Sequence, residues 1–278
     1  MRKKTRNLLY QIFGYAILST IGILFFFPLL WMVSTSLKID QQMFVYPPQW
    51  IPNPITLNHY EIVLTTTPFL KYFYNTVYYV TACVIGIVIS CSLVGYSLSC
   101  IRWPGREILF YITIATLMIP FILTLIPLFM IFKTLGWIGT YKPLIIPAYF
   151  GAPFYIFLLR QFLRTLPKDL LDAARIDGCS EFRIYWNMVI PLIKPALAAI
   201  ALFEFVHRWN DFLGPLIYLR DETKYPFSLA LQYFQGIHEV EWGNLMAFST
   251  LVVLPVLIIF FFTQKTFIQG VKLSGIKG

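Results

Sequence analysis

The chain has 278 residues, 58% of them hydrophobic and only 13% charged, with a mean hydropathy of +0.69. A soluble domain is normally about a quarter charged, so this composition excludes a water-soluble enzyme and points to an all-α polytopic membrane protein. The net charge of +9 is not a nucleic-acid footprint, because no basic patch interleaved with aromatics accompanies it.

Four Lys or Arg lie on Met1–Gln11, and Ile12 to Leu37 then runs without a charge. As a helix this stretch extends roughly 39 Å at 1.5 Å per residue, enough to cross a hydrocarbon core of about 30 Å with tilt. A signal peptide has a shorter apolar region, about 7–15 residues, and a small-residue cleavage site. This run ends instead in LWMVSTSLK and reads as a retained anchor. Further apolar runs at about 76–100, 108–132, 143–159, 196–219 and 243–262 predict, with the first at about 12–37, six spans in one membrane domain, 1–278.

Between the first two spans, Lys38–Tyr74 contains YPPQWIPNPITLNHY. Its prolines oppose helix and central strand, predicting a stiff, aromatic-studded surface segment that either packs over helix ends or touches a partner on the outer face. Later, Arg220–Trp242 carries Asp221, Glu222, Glu239 and Glu241, and its run FSLALQYFQGI suits a short interfacial helix.

Lys and Arg also set the orientation. With the N-terminus inside, the inner segments hold four, then two after the second span, six on Arg160–Lys194 and three on the tail, against six in the outer loops. Both termini are therefore expected in the cytoplasm. Cys83, Cys91, Cys100 and Cys179 form no CxxC pair, and His59, His207 and His238 are far apart; neither a metal site nor a disulfide is expected. GxxxxGK[ST] is absent, as is any paired-carboxylate or Ser/His/Asp grouping. If this protein consumes ATP, another polypeptide must bind it.

One segment is too polar for its surroundings: LLDAARIDGCSEFRIYWNMVIPLIKP, Leu170–Pro195, within the expected cytoplasmic loop 160–195. Pro167 suits a first helical position. Leu170, Leu171 and Ala174 recur at helical spacing, with Lys168, Asp172 and Arg175 on another face. Gly178 can take the left-handed conformation that ends a helix, and Ser180 with Glu181 suits the start of the next. Phe182, Tyr185, Trp186 and Val189 make an i, i+3, i+4, i+7 stripe, and Pro191 and Pro195 are expected to break the pattern before span five. Two capped amphipathic arms need a partner groove.

These residues carry a resemblance. Asp172-Ala173-Ala174, Asp177-Gly178, and Ile190-Pro191 after them resemble the EAA motif of ABC importer permeases, with Asp172, Cys179, Met188 and Ile190 departing from its usual residues. FEFVHRWNDFLGPLIYL, YPPQWIPNPITLNHY and FIQGVKLSGIKG look like the maltose-type, MalG-like carbohydrate branch. The resemblance implies a bacterial or archaeal cytoplasmic-membrane permease paired with a second homologous permease. It also implies an ATPase dimer that binds ATP and Mg, so that this chain binds no cofactor, and a solute-binding protein that delivers a sugar. The EAA residues Asp172, Ala173, Ala174, Asp177, Gly178 and Pro191 would form the ATPase-coupling loop, and Ala174 would be small to clear the cleft wall. Gln269 and Gly270 in the tail would reach the ATPase dimer.

Span five also holds Glu204, His207, Arg208 and Asp211, the last three all within 60° of Glu204 at 100° per residue, so that the four share one face. Charges at membrane depth usually face a bundle interior or a water-filled cavity. Two readings stand: a structural Glu204–Arg208 ion pair, or a polar wall of the translocation path. Asn210 points elsewhere. An alternative function, an ion-coupled secondary transporter, would make Glu204, His207 and Asp211 a relay.

Overall fold

A computed structural model of the chain describes residues 2–236 and 240–275, with side chains described for 10–236 and 240–264. Among the described residues there is no strand, in keeping with the long uninterrupted apolar runs: in lipid, a helix satisfies its own backbone hydrogen bonds. Among the described residues, five helices are long and apolar enough to cross a membrane, or six if one bent pair counts as a span. The chain divides into two compact units, Met1–Phe69 with Leu231–Pro255, and Leu70–Ala230 with Val256–Gly278.

In the first unit, α1 covers Arg2–Ser36, and from Tyr10 to Phe27 every residue but Gly14 is exposed. The Pro-rich loop folds back on its end. Trp50 meets Phe27 and Trp31 edge-on, both at 4.9 Å between ring centres, and its carbonyl accepts from Ser34 Oγ. The expected loop does not stay irregular to Tyr74: α2 forms at Asn58–Thr66, and the next helix starts at Phe69. Proline stops at Pro54 apart from Pro68, so nothing opposes helix in NHYEIVLTT. His59, buried on α2, joins Asn244 Oδ1 and the Lys38 carbonyl, each at 2.9 Å. Lys38 is fully buried beside it, its Nζ 4.0 Å from the Trp31 ring centre, and burial lowers its pKa.

The second unit is organised by α3, Phe69–Cys100. Tyr72, Thr76, Tyr79, Val80, Cys83, Ile87 and Ser90 form its buried stripe at the spacing of one helical face. Gly86 is required there, since a Cβ would lie 2.8 Å from the Tyr149 ring; small residues let membrane helices approach closely. Next, α4 (Arg106–Ala115) and a short turn are followed at Pro120 by α5 (Phe121–Thr134), bent by 101°. The run at 108–132 is therefore two helical pieces. Pro120 has no N–H and drives Ile119 into extended backbone.

The run at 143–159 is also interrupted. α6 (Lys142–Ile145) and a tight turn lead to Gly151, at φ +87°, before α7 (Pro153–Leu163). After α8 (Lys168–Ile176), α9 (Glu181–Ile184) runs through a π-turn at Tyr185–Val189 into α10 (Ile190–Trp209). The fifth apolar helix thus starts at Glu181 and stops at Trp209, where the sequence predicted 196–219. α11 (Leu213–Tyr218) and α12 (Phe227–Ala230) follow. The last helix, α13 (Trp242–Gly275), belongs to the first unit up to Pro255.

Candidate functional site

The two arms expected from the sequence close around Gly178. Pro167 is the cap before α8 rather than its first helical residue. The helix ends as Asp177 N–H donates to the Ala173 carbonyl, Gly178 N–H to that of Arg175 and Cys179 N–H to that of Ala174, each at 3.0 Å. Gly178 sits at φ +77°, and a Cβ there would meet nothing within 4 Å. Its requirement is therefore conformational, the left-handed backbone that L side chains resist. Ser180 caps the second arm, its Oγ accepting from Arg183 N at 3.3 Å.

Burial sorts the arm residues into two sets. Leu171, Ala174, Ile184, Tyr185 and Val189 are buried within this chain. Ala174, 7% exposed, is buried among residues of its own chain. Tyr185 Oη shares a 2.7 Å hydrogen bond with Ser92 Oγ on α3. Outward stand Ile176, 87% exposed, Phe182, 70%, and Trp186, 60%. Phe182 and Trp186 stack with centres 6.4 Å apart. Ala173, Asp177 and Pro191 are also exposed. Only half of the predicted stripe therefore faces outward.

Pro191 and Pro195 do not break the helix. Ile190 N–H donates to the Tyr185 carbonyl, five residues back, and this widened turn makes room for the Pro191 ring where a regular α-turn would clash.

The sequence reading missed the clip that fixes the arms. Arg175 Nη1 donates to Asp172 Oδ1 at 2.7 Å, Nε to Glu181 Oε1 at 2.7 Å, and Nη2 to the Cys100 carbonyl at 2.9 Å. Tyr96 on α3 donates to the other Glu181 oxygen. One guanidinium thus joins α8, α9 and the end of α3, using its planar fork of donors. The bond to Glu181 is the main reason its pKa lies above the ordinary guanidinium value. Only the i, i+3 spacing of Asp172 and Arg175 was visible in the sequence.

Within the membrane, three of the four predicted polar residues meet. Arg208 Nε donates to Glu204 Oε1 at 2.6 Å and Nη1 to Tyr79 Oη at 3.2 Å, and Tyr79 Oη donates to Asp211 Oδ2 at 2.5 Å. Glu204 is 2% exposed. Asp211 lies past the end of α10 and accepts from Gly214 N at 3.1 Å, so it also starts α11. His207 does not join them: it is exposed and borders an apolar cavity with Phe203, Phe205, Val256 and Phe260. Asn210 is exposed and donates to the Val206 carbonyl. Gln269 and Gly270 fall within α13, and their side chains lie outside the described residues.

Residues 92–273 match the family described as binding-protein-dependent transport system inner membrane component. The arabinooligosaccharides transport system permease protein AraQ of Halalkalibacterium halodurans is 32% identical, with all of both chains covered. The diacetylchitobiose uptake system permease protein NgcG of Streptomyces coelicolor is 29% identical over 91% of this chain and 84% of that one. In fold, the chain resembles a crystal structure of a bacterial ABC transporter involved in import of the acidic polysaccharide alginate. The TM-score there is 0.82, at 24% identity, covering 92% of this chain and 96% of the other.

Proposed function

From the premise that this chain belongs to the family of binding-protein-dependent transport system inner membrane components, and is a permease subunit of an ABC importer, we propose that its cargo is a sugar or oligosaccharide. Support comes from the relatives, whose names give arabinooligosaccharides and diacetylchitobiose as their substrates. In this reading a solute-binding protein delivers the cargo on the outer face. A second homologous permease completes the pathway, and an ATPase pair binds ATP and Mg in the cytoplasm. The chain itself binds no nucleotide and forms no covalent intermediate. Both termini face the cytoplasm, consistent with the excess of Lys and Arg on those segments.

The observation that carries the mechanism is the outward apolar set at the turn of the arms: Ile176, Phe182 and Trp186. Large aromatics held uncovered in a polar segment are the anchors of a protein interface. They would seat in the ATPase, and closure of the ATPase pair would push the arms. The Arg175 clip and the unbroken helix from Glu181 to Trp209 would pass that movement to the membrane as a rigid body. The geometry does not favour the ion-coupled alternative: Glu204 and Asp211 are held by Arg208 and Tyr79, and His207 stands apart from them.

The test is to express the chain with its candidate ATPase and second permease and isolate it by a tag on the chain. Both partners should co-purify, and labelled-sugar uptake should require ATP. Trp186→Asp combined with Phe182→Asp should lower ATPase recovery at least about tenfold while the second permease stays bound. Full recovery and uptake by that variant would refute the docking role.

A further inference from the structure

At the root of the arms the second unit holds a cavity of about 220 Å³. Its wall is formed by the last residues of α3, the start of α4, the end of α7 and the start of α8. Three apolar helices end there, so the cavity lies at the level where lipid headgroups meet water.

Six cations line it: Arg102, Arg106, Arg160, Arg164, Lys168 and Arg175. Two acids, Glu107 and Asp172, oppose them, and both are already engaged. Glu107 takes Arg160 Nη2 at 2.7 and 2.6 Å, with Arg106 Nε at 3.4 Å. Asp172 takes Arg175. Arg160 is 3% exposed and its guanidinium lies 3.7 Å from the Phe110 ring centre, which fixes one wall. Among the described residues, the side chains of Arg102, Arg164 and Lys168 make no hydrogen bond or ion pair. The cavity therefore concentrates uncompensated positive charge in a recess, an arrangement that attracts and orients a multivalent anion.

We propose that this recess binds a phosphate-bearing anion, either an anionic phospholipid headgroup of the same leaflet or free phosphate. The inference rests on the reading that the arms lie on the cytoplasmic side, where anionic lipid and basic juxtamembrane residues attract each other. Because Arg175 and Asp172 belong both to the recess and to the clip, the bound anion steadies the arms against α3. Arg164 and Lys168 lead the chain into α8 and contribute to binding without belonging to the clip.

The full chain, purified with whatever partners it retains, is titrated with phosphatidylglycerol or phosphatidylcholine and retention is read by native mass spectrometry. In parallel, inorganic phosphate is titrated in phosphatidylcholine discs while the melting temperature is followed. A lipid site gives selective phosphatidylglycerol retention; a free-anion site gives a saturable phosphate-dependent rise in melting temperature. Arg164→Ala with Lys168→Ala should weaken whichever response occurs at least about tenfold. Arg183→Ala with Lys194→Ala, which removes two exposed cations on the same side but outside the recess, should leave it intact. Three results would overturn the proposal: neither anion binds, both double variants weaken binding equally, or the recess variant loses the ATPase while binding anion normally. Retention is read on the chain itself, so the site is judged even if no ATPase or sugar is found.

Discussion

Replacing Glu204 by Ala decides between the two readings of the charged stripe in α10. Glu204 is 2% exposed and accepts Arg208 Nε at 2.6 Å. Its removal leaves a guanidinium that is only 21% exposed. Stranding one member of a buried ion pair costs about 3–5 kcal/mol. Here Arg208 keeps Tyr79 at 3.2 Å and Asp211 at 3.7 Å, so the loss should fall at or below the lower end, about 2–3 kcal/mol. Removing both together, as Glu204→Gln with Arg208→Met, should recover part of it, because the guanidinium is no longer stranded while Asp211 keeps Tyr79 Oη and Gly214 N. The assay is the fraction of importer that stays assembled after stepwise heating, followed by size exclusion, with sugar uptake measured on the same preparation. Glu204→Ala should lower assembly and uptake in proportion. Normal assembly with an altered KM or sugar preference would refute the structural assignment and place Glu204 on the path.

Gly178→Val should cost more coupling than Gly178→Asn, because a Cβ meets no neighbour at φ +77° and only the backbone resists; left-handed geometry costs roughly 1–2 kcal/mol for most L residues and least for Asn. Uptake per assembled complex should order wild type, Asn, Val, and equal rates in all three would remove the turn from the coupling path. Arg175→Ala, which frees Glu181 and Asp172, should increase protease cleavage between 165 and 180 and uncouple ATP hydrolysis from uptake, whereas Arg175→Lys should restore only part because a compact ammonium lacks the planar fork that spans the three partners. Gly243→Ala should lower the melting temperature, since its Cβ would lie 2.3 Å from the His59 ring and displace the bonds to Asn244 and the Lys38 carbonyl; an unchanged melting curve would contradict that packing.

What the sequence determined by itself is the part governed by local chemistry. Uncharged runs long enough for lipid identify the apolar helices, since solvent alone sets that pattern. Gly178 between two amphipathic segments, with Ser180 beyond it, specifies the turn and its cap, because left-handed backbone and an orphan N–H are requirements of single residues. Tertiary structure decided what depends on neighbours distant in the chain. The 101° bend at Pro120 and the passage of the helix through Pro191 could not be told apart from the prolines, since a proline only removes a bond and the surroundings choose between a break and a widened turn. Helical spacing placed His207 with Glu204 and Arg208, yet Tyr79 from α3 gathers Arg208 and Asp211 and leaves His207 outside. The same holds for the arms: periodicity put Phe182, Tyr185, Trp186 and Val189 on one stripe, and only Ser92 on α3, 93 residues away, shows which half of it turns inward.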